Sequence, residues 1–117
     1  MPRYRVTVVD GVTVIELDGL VTSRRFWWMG VVDALVLRGS RDFVVSLKGA
    51  RLRSFADDRF VSTVAEHIQG TGGRVVFVPP PGRRAAARIH SLARTSHAMS
   101  APDVASAMAT IATTGKW

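Results

Sequence analysis

The run Phe43-Val44-Val45-Ser46-Leu47 is almost continuous in apolar side chains. Successive side chains of a strand point to opposite faces, so a strand with one wet face alternates apolar and polar residues. A run without that alternation is buried on both sides, as the central strands of parallel sheets are. Parallel neighbours in turn require crossover connections, usually helical. This stretch therefore asks for an α/β domain with right-handed crossovers onto one sheet.

The flanking segments supply the other elements. Tyr4-Arg5-Val6-Thr7-Val8 and Val12-Thr13-Val14-Ile15-Glu16-Leu17 alternate and are rich in β-branched residues, and Asp10-Gly11 between them suits a tight primed turn, so the chain opens with a β-hairpin. Asp18-Gly19 is expected to break the second strand. Thr22 or Ser23 then caps a helix from near Arg24 to Arg38, with Gly39 as its stop. On that helix Trp28, Val31, Val32 and Leu35 form one stripe, while Phe26 and Leu37 fall on the far side and Trp27 on a flank. Either neighbouring loops bury these extra residues or a second face of the helix meets another chain.

Ser54, three residues before Asp57, fits the Ser-x-x-acid pattern that caps a helix, which is expected to begin at Phe55. Phe60, Val61, Val64, Ala65 and Ile68 recur at helical spacing, and at about 100° per residue Phe55 points away from them, into water. Gly70 and Gly72-Gly73 end that helix. Arg74-Val75-Val76-Phe77-Val78 forms a strand, parallel and adjacent to the Phe43 strand, that stops at Pro79-Pro80-Pro81. A helix from Arg83 to Ala93, a polar loop, and an amphipathic helix opened by Pro102-Asp103 complete one domain over residues 1–112, with 113–117 as a tail.

Composition narrows the chemistry. The 117 residues contain no cysteine, which removes disulfides, thiolate metal sites and thiol catalysis together and suits a reducing compartment. No apolar run approaches about 18 residues, so no transmembrane segment is expected, and the absence of a signal-like start places the chain in the cytoplasm. The net charge is +7, with Lys48 and Lys116 the only lysines. Such a balance favours acidic partners. The arginines are scattered over Arg24-Arg25, Arg38-Arg41, Arg51-Arg53 and Arg83-Arg84-Arg88, and none of the helices carries the basic face of a groove reader, which disfavours nucleic acid.

Catalytic constellations are thin. His67, His90 and His97 lack the i, i+4 spacing of a zinc helix, so no metal site is expected. Asp57-Asp58 in a first helical turn complement the helix macrodipole. Gly70-Thr71-Gly72-Gly73 follows a helix instead of preceding one and is a turn, not a phosphate cradle. Arg83-Arg84 after the proline bend offer an anion a helix N-terminus, and read more simply as a solvated charge run. No cofactor and no enzymatic activity are implied.

Four segments resemble the STAS domains of anti-sigma factor antagonists, stressosome subunits, a lipid-transport accessory protein and anion-transporter tails. Val14-Ile15-Glu16-Leu17-Asp18-Gly19-Leu20 is similar to the family's second strand and glycine turn, and Phe43-Val44-Val45-Ser46-Leu47-Lys48-Gly49 to its Val-Val-Val-Asp-Leu-Ser-Gly strand. Gly72-Gly73-Arg74-Val75-Val76-Phe77-Val78 is similar to its Gly-Gly-x-Leu-x-Leu-Val element, and Asp103-Val104-Ala105-Ser106-Ala107-Met108 to its closing helix. The resemblance implies an α/β STAS-like fold: a mixed four- to five-stranded sheet opened by a β-hairpin, with about four helices.

From Gly49 to Gly72-Gly73 this register needs no gap. The antagonists carry Asp-Ser-Ser/Thr-Gly where this chain reads Ser54-Phe55-Ala56-Asp57, so the hydroxyl that a partner serine kinase phosphorylates maps onto Phe55, a degenerate phosphoacceptor position. The strand aspartate becomes Ser46. A one-residue shift, which requires a gap and forfeits the Ser54 cap, would put Ser54 there instead. The resemblance implies a partner surface at Arg51, Arg53, Ser54, Phe55, Ala56, Asp57, Asp58 and Arg59, facing an anti-sigma factor or serine-kinase-like protein. Phe26, Trp27 and Leu37 form a second candidate interface, for a homodimer or a larger assembly.

Overall fold

A computed structural model describes residues 3–20, 27–51 and 55–114; within these, the side chains at 20, 27, 55–58 and 114 lie outside the description. The order is β1 Arg3–Val9, β2 Val12–Leu20, α1 Trp27–Leu37, β3 Asp42–Arg51, α2 Phe55–Gly70, β4 Arg74–Val78, α3 Arg83–Thr95, β5 Met99–Ser100 and α4 Val104–Thr114. The five strands form one sheet in sequence order, β1 antiparallel to β2 and all later pairs parallel.

The hairpin turn has the expected chemistry: Asp10 and Gly11 adopt φ of 51° and 78°, the two positive values of a type I′ turn. Beyond β2 the strands advance across the sheet in one direction only. Right-handed crossovers then put α1, α2 and α3 on the same face. There Ile15, Leu17, Phe43, Val45, Leu47, Val75 and Phe77 meet Trp28 and Val32 of α1, Phe60, Val61, Val64, Ala65 and Ile68 of α2, and Ile89 and Ala93 of α3. The opposite face, with Val12, Val14, Val44, Val76 and Val78, is covered by Ala101 and by Ala107 and Ile111 of α4. The α4 helix packs on β3 and β4.

Several boundaries differ from the sequence reading; β3, read as ending at Leu47, runs to Arg51, and α3, read to Ala93, runs to Thr95. Asp18-Gly19 does not end β2: the register shifts between Glu16 and Asp18, and the strand then pairs Asp18, Gly19 and Leu20 with Gly49, Ala50 and Arg51. Gly19 takes φ +83°, and a Cβ at Gly49 would lie 2.8 Å from the Asp18 carboxylate, so a bulge and a bare Cα carry the pairing past the expected break. The polar loop after α3 contains a short β5, and α4 runs through Thr114, into the stretch read as tail. The expected caps at Thr22 or Ser23 and at Ser54 lie outside the described residues.

Trp28 docks α1 on α2. Its ring meets Phe60 edge-on at 6.3 Å and His67 at 5.4 Å, and His67 Nε2 lies 2.7 Å from Asp33 Oδ1. The turn from α2 into β4 is fastened to the start of β3. Arg74 N–H donates to the Arg41 carbonyl at 2.9 Å, and Arg74 Nε donates to Asp42 at 2.9 Å. A Cβ at Gly73 would stand 2.5 Å from that Arg41 carbonyl. Gly73→Ala should therefore cost about 1–3 kcal/mol, read as a lower urea midpoint with an unchanged m-value.

Candidate functional site

The β3 strand is longer than its neighbour β4: pairing between them ends at Ser46 and Val78, while β3 continues to Arg51 along β2 alone. This overhang carries the chain past the carboxyl edge of the sheet, where open α/β folds hold their ligands and partners. Its Lys48, Gly49 and Arg51 are exposed, and Ala50 is buried. Ala50 forms a shallow depression with Pro80 and with Ala85, Arg88 and Ile89 of α3. The proline bend and the first turns of α3 thus flank Ala50, near the end of β3.

The charged side chains described over 48–51, 59–65 and 79–88 are Lys48, Arg51, Arg59, Arg83, Arg84 and Arg88, and the exposed Asp18, paired with Gly49 across the overhang, is their acidic neighbour. Arg51, Arg59, Arg83 and Arg84 are exposed. Phe55, Ala56, Asp57 and Asp58 form the first turn of α2, as the capping pattern predicts. Their side chains, and Arg53 and Ser54 entirely, lie outside the described residues. Thr63 Oγ1 donates to the Arg59 carbonyl at 2.6 Å, on the polar side of the helix whose opposite side is core.

Of the second candidate interface, Phe26 lies outside the described residues, Trp27 opens α1, and Leu37 closes it 88% exposed. Ser46, at the family's strand-aspartate position, is buried and faces the α4 side of the sheet, not α2; its Oγ lies 3.5 Å from the Lys48 amide. The three histidines are dispersed: His67 on Asp33, His90 Nδ1 2.8 Å from Ser100 Oγ, and His97 in a turn at φ +58°. Among the described residues no three His, Asp or Glu side chains cluster as metal ligands, and no helix is long and apolar enough to cross a membrane.

No protein-family model matches the sequence, and no curated protein does. Solved structures do match. A serine-to-glutamate variant of RsbS from Moorella thermoacetica superposes with a TM-score of 0.76 at 8% identity, covering 98% of this chain and 99% of that one. An anti-sigma factor antagonist from Mycobacterium paratuberculosis gives 0.70 at 18% identity, over 96% and 95% of the two chains. The anti-sigma factor antagonist SpoIIAA in its unphosphorylated form gives 0.62 at 10% identity, over 97% and 100%. The chain has the STAS fold of the anti-sigma factor antagonists.

Sequence reasoning left two features of this STAS fold unseen. Arg83-Arg84, read as a solvated charge run, open the helix that flanks Ala50 near the end of β3; the proline bend before them was the available signal. A groove of about 560 Å³ on the α4 side is lined by Arg3, Arg5, Glu16, Asp18, Ser46, Lys48 and Val104. There the hydrogen bond from Arg5 to Glu16, 2.6 Å long, raises the guanidinium pKa, reinforced by the carboxylate charge.

Beside that groove Asp103 caps α4. It accepts the Ser106 N–H at 2.7 Å, which holds its carboxyl below the ordinary carboxylate range, with a further contribution from the Lys48 charge. Because the folded pKa is depressed, this stabilisation is complete above the unfolded value of about 3.9 and is lost as pH falls through the folded value. Asparagine caps a helix about as well as aspartate. Asp103→Asn should thus leave the melting temperature near neutrality almost unchanged, and should lose less of it than the wild type on acidification from about pH 5 to about pH 2.

Proposed function

We propose that this protein is a non-enzymatic binding module, an anti-sigma factor antagonist-type regulator of the partner-switching kind, whose phosphoacceptor position is occupied by Phe55. The observation that carries the reading is the start of α2 at Phe55, delivered by the β3 overhang to the carboxyl edge of a STAS fold. In the family that the chain resembles, this loop and helix start dock on the partner, and phosphate there breaks the contact by charge and desolvation. A phenyl ring accepts no phosphoryl group, so the contact lacks that off-signal. An aromatic ring is also a strong anchor when it fills a pocket.

The charge of the edge indicates the partner's chemistry. Arg51 and Arg59, with Arg53 between them in sequence and Arg83-Arg84 alongside, face an acidic surface on an anti-sigma factor or serine-kinase-like protein. Charges of this kind act mostly on the association rate.

Three measurements test the reading. In a binding assay with such a partner, Phe55→Ala should weaken affinity by about tenfold or more; unchanged affinity removes the argument. Arg51→Glu with Arg59→Glu should slow association by about tenfold at low salt, the difference narrowing as salt shortens the Debye length below about 8 Å. With partner kinase and ATP the wild-type mass should stay unchanged, whereas a phosphoryl group on Ser54 would move the acceptor one residue upstream.

A second reading, a subunit of a homodimer or of a stressosome-like or transporter-associated assembly, is favoured by α1. Eleven residues long, it carries Asp33 as its one charged side chain, and its Leu37 lies in solvent. A helix apolar on nearly all sides is ordinarily covered.

A further inference from the structure

Between β1 and α1 lies an open groove of about 840 Å³, lined on one wall by Tyr4, Val6 and Val8 and on the other by Val31, Ala34 and Leu35, with Arg38 as its one charged lining residue. The β1 strand is the outer strand of the sheet, and Tyr4 and Val8 are 45% and 62% exposed. Outer strands are commonly protected by charge, proline or a bulge. Arg3 and Arg5 mark the first half of β1, and Val8-Val9 leave the second half unprotected.

The hairpin determines what this edge offers. In a two-residue turn the flanking residues, here Val9 and Val12, form a hydrogen-bonded pair, and pairs alternate from there. Val8 and Val6 therefore belong to the non-bonded class on the β2 side and aim their backbone groups at the open edge. An antiparallel strand added there must place these even-numbered residues in its own hydrogen-bonded pairs.

We propose that the occupant is a second copy of this chain, its β1 pairing antiparallel with this β1 about a two-fold axis at Val6. That register sets Val6 opposite Val6, Tyr4 opposite Val8, Arg5 opposite Thr7 and Arg3 opposite Val9, and no arginine faces an arginine. Shifting it by two residues toward the N-terminus puts Arg5 opposite Arg5, and by four puts Arg3 opposite Arg5; like charges directly opposite are destabilising. Shifts the other way shorten the ladder. Among the registers in which no arginine faces an arginine, this one forms the longest ladder, and it is self-complementary, as a two-fold interface requires.

Charge separates a copy from a foreign partner. The chain carries +7, so two copies repel unless they join through a face with little charge. This groove is that face: its lining contains Arg38 alone, and the Arg5 guanidinium on the other side of β1 is held by Glu16 of its own chain. An acidic partner would find its complement at the arginine-lined carboxyl edge instead. Pairing joins the two grooves, with Tyr4, Val6 and Val8 of both copies forming one apolar strip beside the two α1 helices.

This deepens the assembly reading and is independent of the α2 contact. Sedimentation equilibrium on the full chain should give a dimer mass at high concentration, and Val8→Lys, at an exposed position, should give a monomer with an unchanged melting temperature. Since the chain has no cysteine, Thr7→Cys is a clean reporter. In the proposed register the two thiols are diagonal neighbours about 7–8 Å apart, so a short bis-maleimide should join them, and should not join Ser91→Cys on α3. A wild-type monomer at every concentration overturns the proposal and the homodimer form of the assembly reading. A dimer that survives Val8→Lys but is lost in Leu37→Glu overturns the β1 register and leaves the assembly reading standing, and equal cross-linking at Thr7 and Ser91 overturns the register as well.

Discussion

The fold depends on β3 being buried on both faces. Phe43, Val45 and Leu47 are 0–2% exposed toward α1, α2 and α3, and Val44 is fully buried toward α4. A strand in that position must have parallel neighbours and a helical layer on each side, and the one-way order of the strands assigns three helices to one face and one to the other. The single helix is too small to cover five strands. It sits on β3 and β4, and the β1–β2 end of that face is left as the Arg5–Glu16–Lys48 groove. On the helical face, α1 rests on α2 through Trp28 and leaves a second groove against β1. Both open surfaces follow from the same topology.

Much of this is legible in the sequence because the signals are local. Asp10-Gly11 demands a primed turn, Arg74–Val78 is bounded by glycines and prolines, and the Phe60–Ile68 periodicity names the buried side of α2 without ambiguity. The misses have non-local causes. Asp18-Gly19 looks like a stop, yet β2 continues because Gly49, on another strand, leaves room for the Asp18 carboxylate. Met99-Ser100 has no pattern of its own and becomes a strand only because β4 offers it an open edge, with Ala101 N–H donating to the Phe77 carbonyl at 2.9 Å.

The candidate site is legible to a different degree. Its place in the chain follows from capping and from the ungapped register, and the helix start at Phe55 agrees with both. Its surroundings do not follow from adjacency: Pro80, Ala85, Arg88 and Ile89 come to Ala50 through the β4–α3 connection. The same tertiary event explains why Arg83-Arg84 read as unremarkable solvated charge. The groove between β1 and α1 holds Arg38 as its one charged lining residue, which suits it to a copy of the chain, while the exposed Arg51, Arg59, Arg83 and Arg84 suit the proposed site to an acidic partner.

The central claim is that a partner docks on the start of α2, and the most direct measurement is the amide NMR spectrum of the isotope-labelled protein titrated with a serine-kinase-type anti-sigma factor. The account predicts that shift changes concentrate on residues 49–60 and on the flanking 80–88, with β1 and α1 little affected. Changes centred on β1 and α1, with residues 49–60 unmoved at saturation, would contradict it.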